Sequence, residues 1–71
     1  MSKFLTDTRK QIGMVVFSCY YNNEFHIKNA SLWNKVNTVQ DFCELEKEIE
    51  EKYKNKSSCY GNFSIINIIY F

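Results

Sequence analysis

The sequence predicts a small α+β domain in which a three-stranded antiparallel sheet, in strand order 2-1-3, carries one helix on one face. Three observations lead to this prediction: two runs rich in β-branched and aromatic residues, an alternating run that follows the first, and a helical apolar repeat before the last. The element order is β-β-α-β. With 71 residues the chain has room for one core, which excludes a two-domain enzyme.

The first two strands are predicted to form a hairpin. From Ile12 to Tyr21 both alternating sets of positions are apolar, as in a central strand covered on both faces. Asn22 and Asn23 follow, and asparagine accepts the positive φ of a two-residue turn. The next run alternates between an apolar set and a charged set: Phe25, Ile27 and Asn29 against Glu24, His26 and Lys28. We expect the apolar set to face the core of an edge strand and the charged set to face solvent.

The helix is predicted to begin after Thr38. Residues 30–37 have an ambiguous pattern, which we interpret as a connecting loop that carries a buried anchor. Thr38 and Asp41 have the spacing of a capping box, in which each satisfies a backbone N–H near the helix start. An apolar stripe at helical spacing then predicts a helix lying on the sheet: Val39, Phe42, Leu45, Ile49 and Tyr53.

The last strand is predicted over residues 63–71, after a turn at Gly61 and Asn62. Simple alternation divides its large side chains between two faces: Phe63, Ile65 and Ile69 on one, Ile66, Ile68 and Tyr70 on the other. Placing this strand beside the first makes every neighbouring pair antiparallel. The order 1-2-3 would put it against a charged edge and is disfavoured.

The sheet needs a second cover, because one helix covers only one of its faces whereas the first and last strands are apolar on both faces. Residues 1–11 are predicted to be a tail or short N-terminal element outside the domain formed by residues 12–71. They could fold back over the second face through Phe4 and Leu5. A second copy of the chain, through a twofold contact, or another protein could cover it instead. We favour the dimer.

No catalytic site, metal or cofactor is predicted. His26 is the only histidine, and Glu24 is its only local carboxylate partner. Cys19, Cys43 and Cys59 could supply four ligands together with His26, but their spacing matches no zinc module. A charge precedes any apolar run of signal-peptide length, and no run approaches the length of a membrane span. We therefore expect free thiols in a cytoplasmic protein.

Three groups of residues are candidate binding surfaces, because the net charge of +1 leaves only local patches to attract a charged partner. Partner binding is predicted for an acidic helix side and for an aromatic group around the hairpin: Glu44, Glu48 and Glu51 in the first, Tyr20, Tyr21 and Trp33 in the second. An alternative group could hold phosphates and stack on bases: Lys52, Lys54, Lys56 and Tyr60. Each group also has a simpler interpretation. The glutamates could form a solvated helix face, some of the aromatic rings could be buried in the core, and the lysines could complement the negative end of the helix dipole.

The composition indicates an AT-rich genome, since Phe, Tyr, Met, Ile, Asn and Lys make up 36 of the 71 residues and Gly, Ala, Arg and Pro only 4. With its Asn-rich hairpin, Thr-capped acidic helix and closing Ile-Ile-Asn-Ile-Ile-Tyr-Phe run, the segment 12–71 resembles small accessory proteins of low-GC Gram-positive phages and mobile elements. The resemblance implies a non-enzymatic protein that binds and occludes a host protein, such as an anti-CRISPR-like inhibitor of a defence nuclease. A dimeric nucleic-acid-binding regulator and a self-assembling structural protein are the alternatives.

Overall fold

The fold is a three-stranded sheet with one helix packed on one of its faces. The computed structural model describes residues 3–6 and 10–71 of the chain. Strands β1 (Gly13–Tyr21), β2 (Glu24–Leu32) and β3 (Tyr60–Tyr70) form the sheet, and helix α1 (Val39–Lys54) connects β2 to β3. The strand order is β2-β1-β3, and β1 is antiparallel to both neighbours. The predicted fold class and strand order are confirmed.

The β1–β2 hairpin forms as the turn chemistry predicts. Asn22 and Asn23 have φ values of 51° and 66°, and the flanking residues Tyr21 and Glu24 pair directly. The strand pairing then continues as far as Leu32, which lies opposite Gly13. Residues 30–32 are therefore part of β2, and their assignment to a loop was wrong because pairing with β1 outweighs their ambiguous local pattern.

The two sets of side chains on β2 lie opposite to the predicted arrangement. His26 pairs with the fully buried Cys19, and directly paired residues project from the same face. The charged set therefore lies on the helix side, while Phe25 and Ile27 are 56% and 61% exposed on the other side. Alternation separates the two sets, but only the hairpin register decides which set shares a face with the core.

Helix α1 contributes the C-terminal part of its apolar stripe to the core. Leu45 and Ile49 are fully buried, whereas Val39 is 82% exposed and Phe42 is only partly covered. The Cα atoms of the helix come within 8 Å of β3 and of no other strand. The helix therefore lies towards one edge of the sheet, and the expectation that the whole stripe is buried was wrong at its N-terminal end.

The helix start is confirmed at Thr38. The Thr38 Oγ1 accepts a hydrogen bond from the Asp41 N–H at 3.0 Å. Asp41 Oδ2 accepts one from the Asn37 N–H at 3.1 Å, so the carboxylate reaches back by one residue more than in the usual capping box. This bond, more than the nearby Lys3, lowers the pKa of the Asp41 carboxyl below its ordinary value.

Strand β3 is longer and less regular than predicted. It begins at Tyr60, and Asn62 adopts a φ of 53° within the strand, where a turn was expected. Its register with β1 shifts twice. At one of these shifts Val16 pairs with Asn67 and Phe17 with Ile65, so Ile66 is an extra residue on β3. This bulge reverses the alternation, so Ile68 faces the helix side with Ile65. The predicted grouping of Ile69 with Ile65 was wrong for this reason.

The N-terminal segment lies on the helix side of the sheet. Phe4 is fully buried in the same core as Leu45 and Ile49, and its carbonyl accepts a hydrogen bond from the Trp33 N–H at 2.9 Å. The idea that Phe4 covers the second face of the sheet was therefore wrong. The predicted N-terminal element also includes residues 1, 2 and 7–9, which lie outside the described residues.

Candidate interaction surfaces

The sheet face that points away from the helix, here called the open face, is exposed and uncharged. The pairing registers place on it Met14, Val16, Ser18, Tyr20, Phe25, Ile27, Asn29, Ser31, Ser64, Asn67 and Ile69, and the bulged Ile66 is 53% exposed. None of these residues is acidic or basic. The exposed large side chains of the open face make it a candidate contact surface, because contiguous exposed apolar patches often mark interaction sites.

The predicted aromatic group is divided between the two faces. Tyr20 and Phe25 form a cross-strand pair on the open face, with ring centroids 5.5 Å apart in an edge-to-face arrangement. Tyr21 lies on the helix side, where its ring centroid is 4.6 Å from that of Tyr60. Trp33 is half-buried beyond the end of β2. The structure therefore does not bring Tyr20, Tyr21 and Trp33 together, because neighbouring residues in a strand project to opposite faces.

The acidic helix surface consists of Glu44, Lys47, Glu48 and Glu51, which with Lys3 line a shallow groove of about 360 Å³. Between residues 39 and 51 the helix carries six acidic residues and one lysine, a net charge of −5. The side-chain carboxylates of Glu44 and Glu51 make no hydrogen bond or ion pair with any other described residue. Their carboxylates are therefore free to attract a basic partner.

Glu48 differs from its neighbours, because its carboxylate holds the N-terminal segment. Its Oε1 accepts hydrogen bonds from the backbone N–H groups of Phe4 at 2.9 Å and of Leu5 at 3.2 Å. Backbone donors of a segment that enters the core need acceptors, and a carboxylate is a strong one. The sequence singled out Glu48 as a binding residue, while the structure also gives it a role in the fold.

The alternative nucleic-acid group is engaged in intramolecular contacts at three of its positions. Lys54 Nζ lies 3.2 Å from the carboxylate of Glu50, and Lys56 Nζ lies 5.1 Å from the ring centroid of Tyr53. Tyr60 is half-buried against Tyr53, at a centroid distance of 5.4 Å. Its packing against Tyr21 and Tyr53 occupies ring surface that would otherwise stack on bases.

A second exposed apolar region lies between the N-terminal end of α1 and the end of β3. It is a groove of about 480 Å³ lined by Val36, Asn37, Thr38, Val39, Phe42, Ile68 and Tyr70. The Tyr70 hydroxyl closes one side, since it accepts from the Val36 N–H at 3.1 Å and donates to the Val36 carbonyl at 3.3 Å. Sequence reasoning missed this groove because helical periodicity assigns Val39 and Phe42 to the core.

His26 and Cys19 are neighbours across the β1–β2 pair, and burial raises the pKa of the Cys19 thiol. The Nε2 of His26 lies 3.8 Å from Glu24 Oε2, beyond hydrogen-bond distance, and has no hydrogen-bond partner among the described residues. Cys43 and Cys59 are exposed. Within residues 3–6 and 10–71, no three His, Cys, Asp or Glu side chains are arranged to hold a metal ion.

The described part of the chain contains no helix with the length and hydropathy needed to cross a membrane. Comparison of the sequence with protein-family models and with curated proteins, and of the structure with solved structures, found no match.

Proposed function

We propose that the protein is a small non-enzymatic binding protein, of the type carried by phages and mobile elements, that occludes a basic surface of a host protein. The separation of charge between the two layers supports this proposal. The helix layer carries a net charge of −5 over residues 39–51, whereas the residues of the open face carry none. A surface of one sign attracts and orients a partner of the opposite sign.

Within the acidic helix surface, Glu44 and Glu51 are the expected contact residues. They are seven positions apart, which on a helix corresponds to two turns and about 10 Å. Both carboxylates are free of partners among the described residues, whereas Glu48 binds the backbone of the N-terminal segment. A groove that normally accommodates nucleic acid, such as that of a defence nuclease, has the positive lining that would accept this arrangement.

Affinity capture from the lysate of a low-GC Gram-positive bacterium tests the proposal. The wild-type protein is expected to retain a host protein at a stoichiometric ratio, and the double variant Glu44→Gln/Glu51→Gln is expected to lose it. Glu24→Lys is the matched control, because it changes the net charge by the same two units on β2 rather than on the helix. Retention by this control assigns the loss to the helix surface and not to overall charge.

Two outcomes would overturn the proposal. Host-protein capture that is unchanged by Glu44→Gln/Glu51→Gln would remove the acidic helix surface from the contact. Nucleic acid in the eluate, with binding that falls steeply as salt rises, would favour the dimeric nucleic-acid-binding regulator instead. The lysine-rich group Lys52, Lys54 and Lys56 would then be the first to replace.

A further inference from the structure

We propose that the open face is a homodimer interface, in which the sheets of two copies of this chain pack face to face about a twofold axis. This surface lies on the opposite layer from the acidic helix surface. The inference is therefore independent of the proposed host-protein contact and goes beyond it. Three observations favour a second copy as the occupant of the open face. The face carries no charge, its area is sufficient for a dimer contact, and the core of the single chain is small.

The chemistry of the open face suits contact with itself. In a twofold contact each side chain meets the same surface of the partner, so any charge near the axis would approach a like charge. The open-face residues are apolar or are serine and asparagine, whose short side chains both donate and accept hydrogen bonds. The charged residues Glu24, His26 and Lys28 of β2 all project to the helix side. A partner with a charged surface would meet no residue of opposite charge on the open face.

The size of the face is near the lower limit for a specific dimer. Three strands at a spacing of about 4.8 Å, each about ten residues long, give a flat area of about 14 Å by about 33 Å. Two such faces, with the relief of their side chains, would bury roughly 1,000 Å² in total, which is about the minimum expected of a biological interface. Face-to-face sheets pack about 10 Å apart in β-sandwiches, a distance that side chains of this size can fill.

The core of the single chain is small for its length. Eight apolar residues are buried among those described. Five large open-face side chains are more than two-fifths exposed and would join the buried set on dimerisation: Tyr20, Phe25, Ile27, Ile66 and Ile69. Domains of this length commonly need a disulfide, a metal or a partner subunit to supplement their core. The three cysteines are free, so a second copy is the supplement that this surface can provide.

The resulting dimer has four layers, in the order helix, sheet, sheet, helix. Its two acidic helix surfaces lie on opposite outer sides, so the dimer could engage two partner molecules at once.

Mass in solution tests the dimer. Wild-type protein is expected to have twice the chain mass of 8.5 kDa at high concentration and to approach 8.5 kDa on dilution. Ile27→Glu places a charge on the β2 part of the contact, beside Ser18 of the central strand, and is expected to raise the dimer Kd by about 100-fold or more. Val39→Glu is the matched control, since it makes the same apolar-to-acidic change at an exposed helix position and should leave the Kd unchanged. Circular dichroism verifies that each variant is folded.

A measurement on the wild-type protein locates the interface without relying on any variant. With a soluble paramagnetic probe, the methyl signals of Ile27 and Ile69 are expected to be protected at high concentration and to become accessible on dilution. The Val39 methyl groups should be accessible throughout. A mass of 8.5 kDa at all concentrations up to roughly 0.5 mM would overturn the proposal, because a specific interface of this area is expected to hold two chains together at that concentration. A dimer in which Ile27 stays accessible, or one that Ile27→Glu leaves intact, would overturn it equally.

Discussion

The two faces of the sheet are built from the same strands and both carry large apolar side chains, yet the described residues cover only one of them. On the helix side, Val15, Phe17 and Cys19 of β1 are fully buried under α1 and the N-terminal segment. On the open face, Tyr20 of the same strand and its neighbour Phe25 remain exposed. The apolar content of a strand therefore indicates how much apolar surface must be buried, whereas the packing of the other elements decides which face of the sheet is buried.

Truncation of a large aromatic residue should separate the two faces most clearly. Phe17→Ala is expected to reduce the free energy of unfolding by about 3–5 kcal/mol, because it leaves a cavity beside Tyr53 and Phe63. Phe25→Ala on the open face should cost less than about 1 kcal/mol when the protein is dilute enough to be monomeric. Urea unfolding measures both. Equal losses for the two variants would mean that the open face is already packed in the single chain.

The two glycines give the next largest contrast. A Cβ atom on Gly13 would collide with the backbone carbonyl of Ile69 on β3, whereas one on Gly61 would meet nothing within 4 Å. Gly13→Ala is therefore expected to destabilise the protein by about 1–3 kcal/mol or more, since a strand must move. Gly61→Ala should be neutral or slightly stabilising, by up to about 1 kcal/mol, because its φ is negative. Thermal unfolding of both variants checks this, and a neutral Gly13→Ala would contradict the close β1–β3 contact.

A smaller effect should distinguish Glu48 from Glu44 on the acidic helix surface. Glu48→Gln weakens two hydrogen bonds to the N–H groups of Phe4 and Leu5, and should cost about 1 kcal/mol because the site is only half-buried. Glu44→Gln should have no measurable effect on stability. Hydrogen exchange at residues 4 and 5 reports the change directly. Faster exchange in both variants alike would show that helix charge, rather than this tether, orders the segment.

The smallest expected effect is an alkaline loss of stability on the helix side. Burial raises the pKa of Tyr53 and of Cys19 above their ordinary values near 10 and 9. Above these values the unfolded chain loses protons that the folded chain keeps, so the free energy of unfolding falls as pH rises. Urea unfolding between pH 7 and pH 11 should show this decline, and Tyr53→Phe should reduce it. A decline that Tyr53→Phe leaves unchanged would contradict this assignment.

The candidate surfaces were less accessible to sequence reasoning than the fold was. Acidic residues at helical spacing were enough to place Glu44 and Glu51 on the outer side of the helix. The open face could be anticipated only as a sheet surface that needed cover, since the identities of its β2 members depend on a register between distant residues. The partner of Glu48 was out of reach for the same reason, because a contact across more than 40 positions leaves no local pattern.

The sequence by itself determined the features that depend on neighbouring residues: the order of elements, the Asn22-Asn23 turn and the helix start at Thr38. The antiparallel pairing of neighbouring strands and the charged edge of the second strand then determined the strand order. Tertiary structure alone decided which face of β2 meets the core, where β3 bulges and where Phe4 is buried. These outcomes depend on the total free energy of competing long-range pairings, to which each residue contributes little, and not on the conformational preference of any single segment.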